Sequence, residues 1–338
     1  MTTGTRAGRP VAPPPVPSAA VSAPLFSIIT PMYNAADVVV DAIRSAQRQT
    51  LGEFELIALD DGSTDETAEL VRALAADDPR IRLERQENAG ANATRNRAMS
   101  MARGRYITFL DSDDLKLPTY LEDVHRAFEA NPSAGLAYTD AYVMDHDTRR
   151  VYRRTFIAAQ GAYDPPPLEP AEFLERLLET CFIPFSATTL RRSVVEEVGA
   201  FDPRLAGTDD YELWLRIVAR GHGAVRVPGT LAVMRRRPGQ ISGDLSVMWR
   251  NLRQAYLLVA DEYDAPESVR LRARSRAEQL IPAIWAAEMD AEAARRRGAL
   301  GKAGRALWNL RMHVTWVRSW RARSPRDLVE AFPDIRTR

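Results

Sequence analysis

The chain has 338 residues, 45% hydrophobic and 27% charged, with a formal net charge of +1. That length suits one large α/β domain with an appendage or two modest domains, and the apolar content implies a packed core. Near-balanced charge speaks against a dedicated nucleic-acid binder, and a single cysteine excludes an intrachain disulfide or a cysteine-rich metal cluster.

Residues 1–24 carry Pro13, Pro14, Pro15 and Pro17 among Ala, Ser and Val, and read as a disordered, partly polyproline arm. No apolar signal-peptide core precedes the arm's end, and no stretch reaches the ~18 to 20 apolar residues that cross a bilayer. The expected location is therefore the cytoplasm. Lys occurs only at Lys116 and Lys302, so nearly every basic residue is Arg. Arg is the better phosphate donor, although coding bias produces the same pattern.

From Leu25 strands and helices alternate. Strand signals fall at 26–30 (FSIIT), 55–60 (ELIALD), 81–86 (IRLERQ) and 106–111 (YITFLD), with helical stretches near 35–49, 65–76, 92–103 and 119–130. Ser63 with Glu66, and Thr119 with Glu122, have the spacing of a capping box. This alternation predicts an α/β fold, a mostly parallel sheet flanked by helices. Residues 135–144 read as a further strand, Pro165, Pro166 and Pro167 as a loop, and 169–181, 191–198 and 209–220 as helices. Strand signals stop after Ser242, which predicts a C-terminal helical region at 243–338 beside a domain at 25–242. Cys181, in CFIPF, reads as a buried structural thiol.

In such sheets ligands bind beyond the carboxyl ends of the strands. Three strand exits here are strongly polar: Thr30-Pro31-Met32-Tyr33-Asn34, Asp60-Asp61-Gly62-Ser63-Thr64-Asp65 and Asp111-Ser112-Asp113-Asp114. One acidic strand exit is ordinarily a helix cap or a solvated turn; several on one sheet are harder to explain that way. Carboxylates at i and i+2 on a turn can face one hard cation while substrate phosphates complete its coordination, which suits Mg²⁺ or Mn²⁺. His125, His146, His222 and His313 contain no pair with ligand spacing, and read as surface or capping residues.

The order SIITPMYN, DDGSTD, NAGANATRN, GRYITFLDSDD, GTDDYELWLR, MRRRPGQIS resembles the family 2 glycosyltransferases, over about residues 25–242. The resemblance implies a GT-A fold, a nucleotide-diphosphate sugar (UDP first, dTDP or GDP as alternatives) and transfer to an acceptor hydroxyl or amine with inversion. It implies that Thr30 and Tyr33 flank the base, that Asp61 accepts a hydrogen bond from it, and that Asp60 supports Asp61. It places Arg95 near the diphosphate, with Asn96 structural, and makes Asp111 and Asp113 the metal pair. Asp114 falls on the acceptor side. In TDDYELW the resemblance makes Asp210 the base that deprotonates the acceptor, with Asp209 the alternative. A negative helix start is the simpler reading of both. Trp214 is either an acceptor-stacking ring or a core residue. The last motif departs from the family: Arg235 and Arg237 can grip a diphosphate, but Arg237 stands where many members carry a His, and Arg cannot ligate a metal.

Two other readings share parts of this pattern. Sugar-nucleotide pyrophosphorylases open on a Gly-rich loop with an essential Lys, which TPMYN lacks, and a non-catalytic relative would have no reason to keep both carboxylate sets. Between Lys302 and Arg323, Leu307, Leu310, Val314 and Val317 share a helix face with Trp308, Trp316 and Trp320, flanked by arginines. Such a helix can cover the domain, join two protomers or lie on an anionic membrane surface. A glycan, lipid-linked or small-molecule acceptor is compatible with all three.

Overall fold

The computed structural model describes residues 23–161, 168–237, 245–287 and 326–332. The arm short of Ala23, the prolines at 165–167, Pro238 to Ser242 and the Trp-bearing stretch 302–323 lie outside these residues.

The first half is a regular alternation: β1 (Phe26–Met32), α1 (Val39–Gln47), β2 (Phe54–Asp60), α2 (Thr67–Asp77), β3 (Ile81–Arg85), α3 (Ala91–Ser100) and β4 (Tyr106–Phe109). There follow β5 (Leu115–Lys116), α4 (Tyr120–Ala130), β6 (Ala134–Asp145), α5 (Phe156–Ala159), α6 (Pro170–Glu179), β7 (Thr188–Arg191), α7 (Arg192–Val198), α8 (Asp209–Ala219) and β8 (Gly223–Arg236). The last elements are α9 (Leu245–Asp261), α10 (Glu267–Gln279) and a short helix Arg326–Ala331. One eight-stranded sheet runs β3-β2-β1-β4-β7-β6-β8-β5. Strands β3, β2, β1 and β4 are mutually parallel, β7 is antiparallel to both β4 and β6, β8 runs parallel to β6, and β5 antiparallel to β8.

Side chains alternate across this sheet and so build two cores. Phe26, Ile28, Leu56, Ala58 and Tyr106 face one core with α1, Val71 of α2, and α4. Ile29, Ile57, Leu59, Ile107 and Phe109 face the other, with α3, α6 and α8. Both faces of the central strands are thus dry, which is why their sequences read as nearly continuous apolar runs. Ala255, Tyr256 and Val259 of α9 and Val269, Ala273 and Ala277 of α10 join the second core. No described helix is long and apolar enough to cross a membrane.

Neither capping box forms. Asp65, not Ser63, accepts from the Thr67 amide at the start of α2 (3.0 Å), while the Ser63 hydroxyl is taken by the Asn34 amide (2.9 Å). Thr119 precedes α4 without capping it, and Glu122 instead accepts from Thr50 (2.8 Å). Strands β5, β7 and β8 carry weak sequence signals for physical reasons. The first spans only Leu115–Lys116, and β8 contains Pro228 and Gly229, the latter at φ 96°. Its register against β6 also shifts, so period-2 alternation is interrupted.

Gly104 is held by close packing: a Cβ there would lie 2.5 Å from the Ser27 amide nitrogen and 2.6 Å from the Phe26 carbonyl carbon. Neither backbone atom can move without disturbing β1, so Gly104→Ala should cost about 1–3 kcal/mol, read as a lower urea midpoint. An unchanged midpoint would contradict the packing.

Candidate active site

The strand exits meet because β1, β2 and β4 are parallel and in near register, with Met32 opposite Asp60 and Ile29 opposite Phe109. The first two loops interlock. Asn34, in the left-handed region at φ 46°, accepts from the Thr64 amide (2.9 Å), and the Ala35 amide donates to Thr67 Oγ1 (2.8 Å). Gly62 also has positive φ (76°), and a Cβ there would press the Asn88 amide at 3.0 Å.

The base-flanking expectation divides. Tyr33 is 52% exposed on the rim, whereas Thr30 is fully buried in β1 and its hydroxyl has no hydrogen-bond partner. Of that pair, only Tyr33 offers a face. Asp61 is likewise committed: its carboxylate accepts from the Ala89 amide (2.8 Å), the Gly90 amide (2.9 Å) and Gln86 Nε2 (2.7 Å). It braces the loop that opens α3, which leaves little accepting capacity for a base. Asp60 supports the same turn, accepting from the Ser63 amide (3.2 Å) with Arg85 3.1 Å away.

Arg95 is the hub. Its guanidinium donates to Asp111 Oδ1 (3.0 Å) and Asp209 Oδ2 (3.3 Å) and lies over the Phe185 ring, 4.3 Å from its centroid. Burial alone would lower its pKa, but Asp111 and Asp209 hold it above the ordinary value. Asn96, one residue on, clamps Phe201 in both directions, donating to its carbonyl (2.8 Å) and accepting from its amide (3.0 Å). That clamp ties α3 to the segment that leads into α8, and so brings Asp209 and Asp210 to the DSDD turn.

Asp111, Asp113 and Asp114 each offer an oxygen within 4.8 Å of the others. Three carboxylates so placed are a hard oxygen donor set of the kind that suits Mg²⁺ or Mn²⁺. The acceptor-side assignment of Asp114 is corrected. It is buried (5% exposed) and accepts from the Arg235 amide at 2.9 Å, because the β5–β8 pairing, Leu115 opposite Val233, draws it against β8. Burial, with Asp113 and Asp111 beside it, pushes its carboxyl well above the usual range.

Asp209 and Asp210 open α8 but sit differently. Asp209 is buried, accepts from the Gly207 amide (3.0 Å) and is paired with Arg95; burial still raises it. Asp210 is more open, and burial followed by repulsion from Asp209 pushes it up to about 7. Trp214 is fully buried with its ring 6.3 Å from that of Phe109. It is a core residue, which removes it from the acceptor side.

Arg235, near the end of β8, and Arg237, just beyond it, meet carboxylates at the start of the α1 region. Arg235 donates to Asp41 (2.7 Å) and Arg237 to both Asp37 oxygens (3.3 and 3.1 Å), so both guanidinia are held by this chain's own acids. Sequence reasoning missed three other residues, which lie behind the acidic turn. Lys116 is fully buried, donates to the Ser186 carbonyl (2.6 Å) and lies 3.5 Å from the Tyr120 ring centroid. Ser186 in turn accepts from the Asp111 amide (3.3 Å). Lys116 directly follows the acidic turn; Phe185 and Ser186 carry no pattern that marks them. Cys181 is half-buried, packed against the second core, and desolvation raises its thiol pKa.

The glycosyl transferase family 2 profile matches residues 27–199. The chain is 30% identical over 257 residues to an uncharacterised protein of Mycobacterium tuberculosis, covering 73% of this chain and 79% of that one. It is 30% identical over 241 residues to the putative teichuronic acid biosynthesis glycosyltransferase TuaG of Bacillus subtilis, covering 70% and 87%. Over 196 residues it is 31% identical to chondroitin synthase of Pasteurella multocida, covering 57% of this chain but only 19% of that longer protein. It likewise spans 20% of a matched Sinorhizobium fredii protein. Among solved structures, S. aureus TarS 1-349 in complex with UDP-GlcNAc aligns at TM-score 0.57 and 16% identity, over 74% of this chain and 72% of that one. The Pyrobaculum calidifontis mannosyltransferase PcManGT, in complex with GDP-Man and Mn²⁺, aligns at TM-score 0.57 and 19% identity, over 86% and 81%. The fold is that of these glycosyltransferases. The chain belongs to glycosyltransferase family 2.

The raised pKa of Asp210 has a stability consequence. The folded state binds a proton at Asp210 between the unfolded value, near 4, and about 7, so stability falls as pH rises through that interval. Asp210→Asn removes the charge that burial disfavours. In chelator, its melting temperature should exceed the parent's at pH 8, with the advantage shrinking toward pH 4. An advantage that does not vary with pH would show that Asp210 titrates normally.

Proposed function

We propose that this chain transfers a sugar from a nucleotide-diphosphate donor, UDP-linked in the first instance, to an acceptor hydroxyl or amine by a single displacement with inversion. The observation that carries the reading is the Arg95 bridge, which sets an acidic, cation-suited turn beside a pair of carboxylates at one rim. The UDP-GlcNAc and GDP-Man carried by the structural neighbours support a nucleotide-sugar donor, and the Mn²⁺ of the second supports a divalent cation.

Asp210 is the proposed base. A general base works best when its pKa lies near the working pH, and a value of about 7 meets that condition. Asp209 has both oxygens engaged, by Arg95 and by the Gly207 amide, which leaves Asp210 the freer to meet an acceptor. Asp111 and Asp113 would hold the cation, with Asp114 as a third oxygen donor; a bound divalent ion supplies charge neutralisation to a departing diphosphate. Tyr33 offers its exposed ring to the base of the nucleotide. The arginines on β8 serve the site indirectly, since the Arg235 amide fixes Asp114. The location proposed is cytoplasmic, with residues 302–323 making peripheral membrane contact or joining two protomers.

Thermal stabilisation by a panel of nucleotide sugars, with and without Mn²⁺, tests the donor reading. A UDP-sugar should raise the melting temperature more with Mn²⁺, and the Asp111→Ala/Asp113→Ala double variant should lose the Mn²⁺-dependent part. Its turnover should fall by on the order of 10²–10³-fold or more; full-speed transfer by this variant would remove the metal pair. Asp210→Asn should keep donor stabilisation and lose turnover by roughly 10²–10⁴-fold. Normal transfer by Asp210→Asn would move the base to Asp209. Arg95 lowers the Asp210 pKa, so Arg95→Gln should move the acid limb of kcat/KM to higher pH; an unmoved limb would uncouple the two.

A further inference from the structure

Behind the acidic turn lies a side chain that the proposed reaction does not use. Lys116, the second residue of β5, is fully buried. A long apolar residue would fill the same space without the cost of taking an amine out of water, so the explanation for the amine lies in what it contacts. It is one of two lysines among 46 basic residues, the rest being Arg. Its Nζ donates to the Ser186 carbonyl (2.6 Å) and sits 3.5 Å from the centroid of the Tyr120 ring, whose hydroxyl is engaged with Thr189 (3.0 Å). One carbonyl over a fixed ring suits a compact donor, whereas a planar guanidinium would bring five N–H groups into the same space.

Those contacts lead to the carboxylates. Ser186 is the middle residue of the 3₁₀ turn Phe185–Ala187. Its hydroxyl accepts from the Asp111 amide (3.3 Å) and is a hydrogen-bond partner of the Asp114 carboxyl. Phe185, one residue earlier, carries the ring that lies against the Arg95 guanidinium. The Lys116 backbone is fixed from α1, its amide donating to Ser45 Oγ (3.1 Å), so the lysine spans from that helix to the 3₁₀ turn. One amine thereby anchors the short segment that touches Asp111, Asp114 and Arg95 together. Outer partners of this kind set the aim of ligating groups.

We propose that Lys116 is a positioning residue for a divalent cation: by fixing Ser186 it holds Asp111 and Asp114 where one ion can be shared, an assignment that rests on the cation reading of the acidic turn. Titration of the full chain with Mn²⁺ in the absence of nucleotide, with free Mn²⁺ counted by electron paramagnetic resonance, tests it. The Asp111→Ala/Asp113→Ala variant marks which bound Mn²⁺ belongs to the turn. Lys116→Met keeps the length of the side chain, removes the donor, and should weaken Mn²⁺ binding about tenfold or more. Ser186→Ala should weaken it to a similar degree, and the two changes together little further, because both act along one line of contact. A lysine that only filled space would lower the melting temperature in chelator when replaced and leave the Mn²⁺ affinity of the folded protein alone. A lysine that acted only as a positive charge would leave a site that binds Mn²⁺ more tightly. Unchanged or tighter binding by Lys116→Met therefore overturns the proposal, and the cation reading survives in a parent that still binds Mn²⁺. Ser186→Ala leaves the lysine its carbonyl and carries the test if Lys116→Met does not fold: a tenfold loss upholds the line of contact, and unchanged affinity breaks it. A parent protein that takes up no Mn²⁺ at the turn overturns the cation reading and the role of Lys116 with it.

Discussion

The site depends on one buried guanidinium shared by two carboxylates that are 98 positions apart in the chain, those of Asp111 and Asp209. Each acid alone would be costly to keep charged where it lies, and together with Asp210 they would repel. Arg95, stacked on Phe185, supplies the positive charge that ties both into one place. It is aimed by α3, and α3 is positioned at both ends. Asp61 receives the amides that lead into the helix, and Asn96 clamps the backbone of Phe201. The strand exits, the helix between them and the start of α8 thus form one electrostatic unit.

That unit also explains how neighbouring acids in sequence acquire different tasks. Asp209 and Asp210 are adjacent on one helix turn, but only Asp209 reaches Arg95. Burial raises both, but at Asp209 the Arg95 charge opposes it, whereas at Asp210 repulsion from Asp209 adds to it and the carboxyl moves toward neutral pH. Asp114 is fixed in a different way, by backbone. The pairing of β5 with β8 takes Asp114 out of solvent and gives it a fixed amide donor. Here a backbone amide, not the charge pattern, fixes the carboxylate.

The arginines of β8 show the limit of reading a motif without its surroundings. The resemblance sets both toward a diphosphate, and in the structure they pair with Asp41 and Asp37. Nothing in MRRRPGQIS announces acids located almost two hundred positions earlier. Trp214 makes the same point for the acceptor side, since an aromatic residue near an acidic helix start is equally suited to stacking and to the core until its neighbours are known.

Sequence alone determined the alternation of strands and helices, the polar exits of β1, β2 and β4 and the carboxylates carried there. These follow from periodicity and from chemistry confined to a few consecutive residues. Only the tertiary structure decided that Thr30 is sealed, that Asp61 braces a loop and that Lys116 lies buried behind the acidic turn. It alone decided that Lys116 and Asp111 meet at Ser186. Each of these is a matter of which distant surface comes to rest against a side chain. Burial and ion pairing are set by that packing, and no local pattern encodes it.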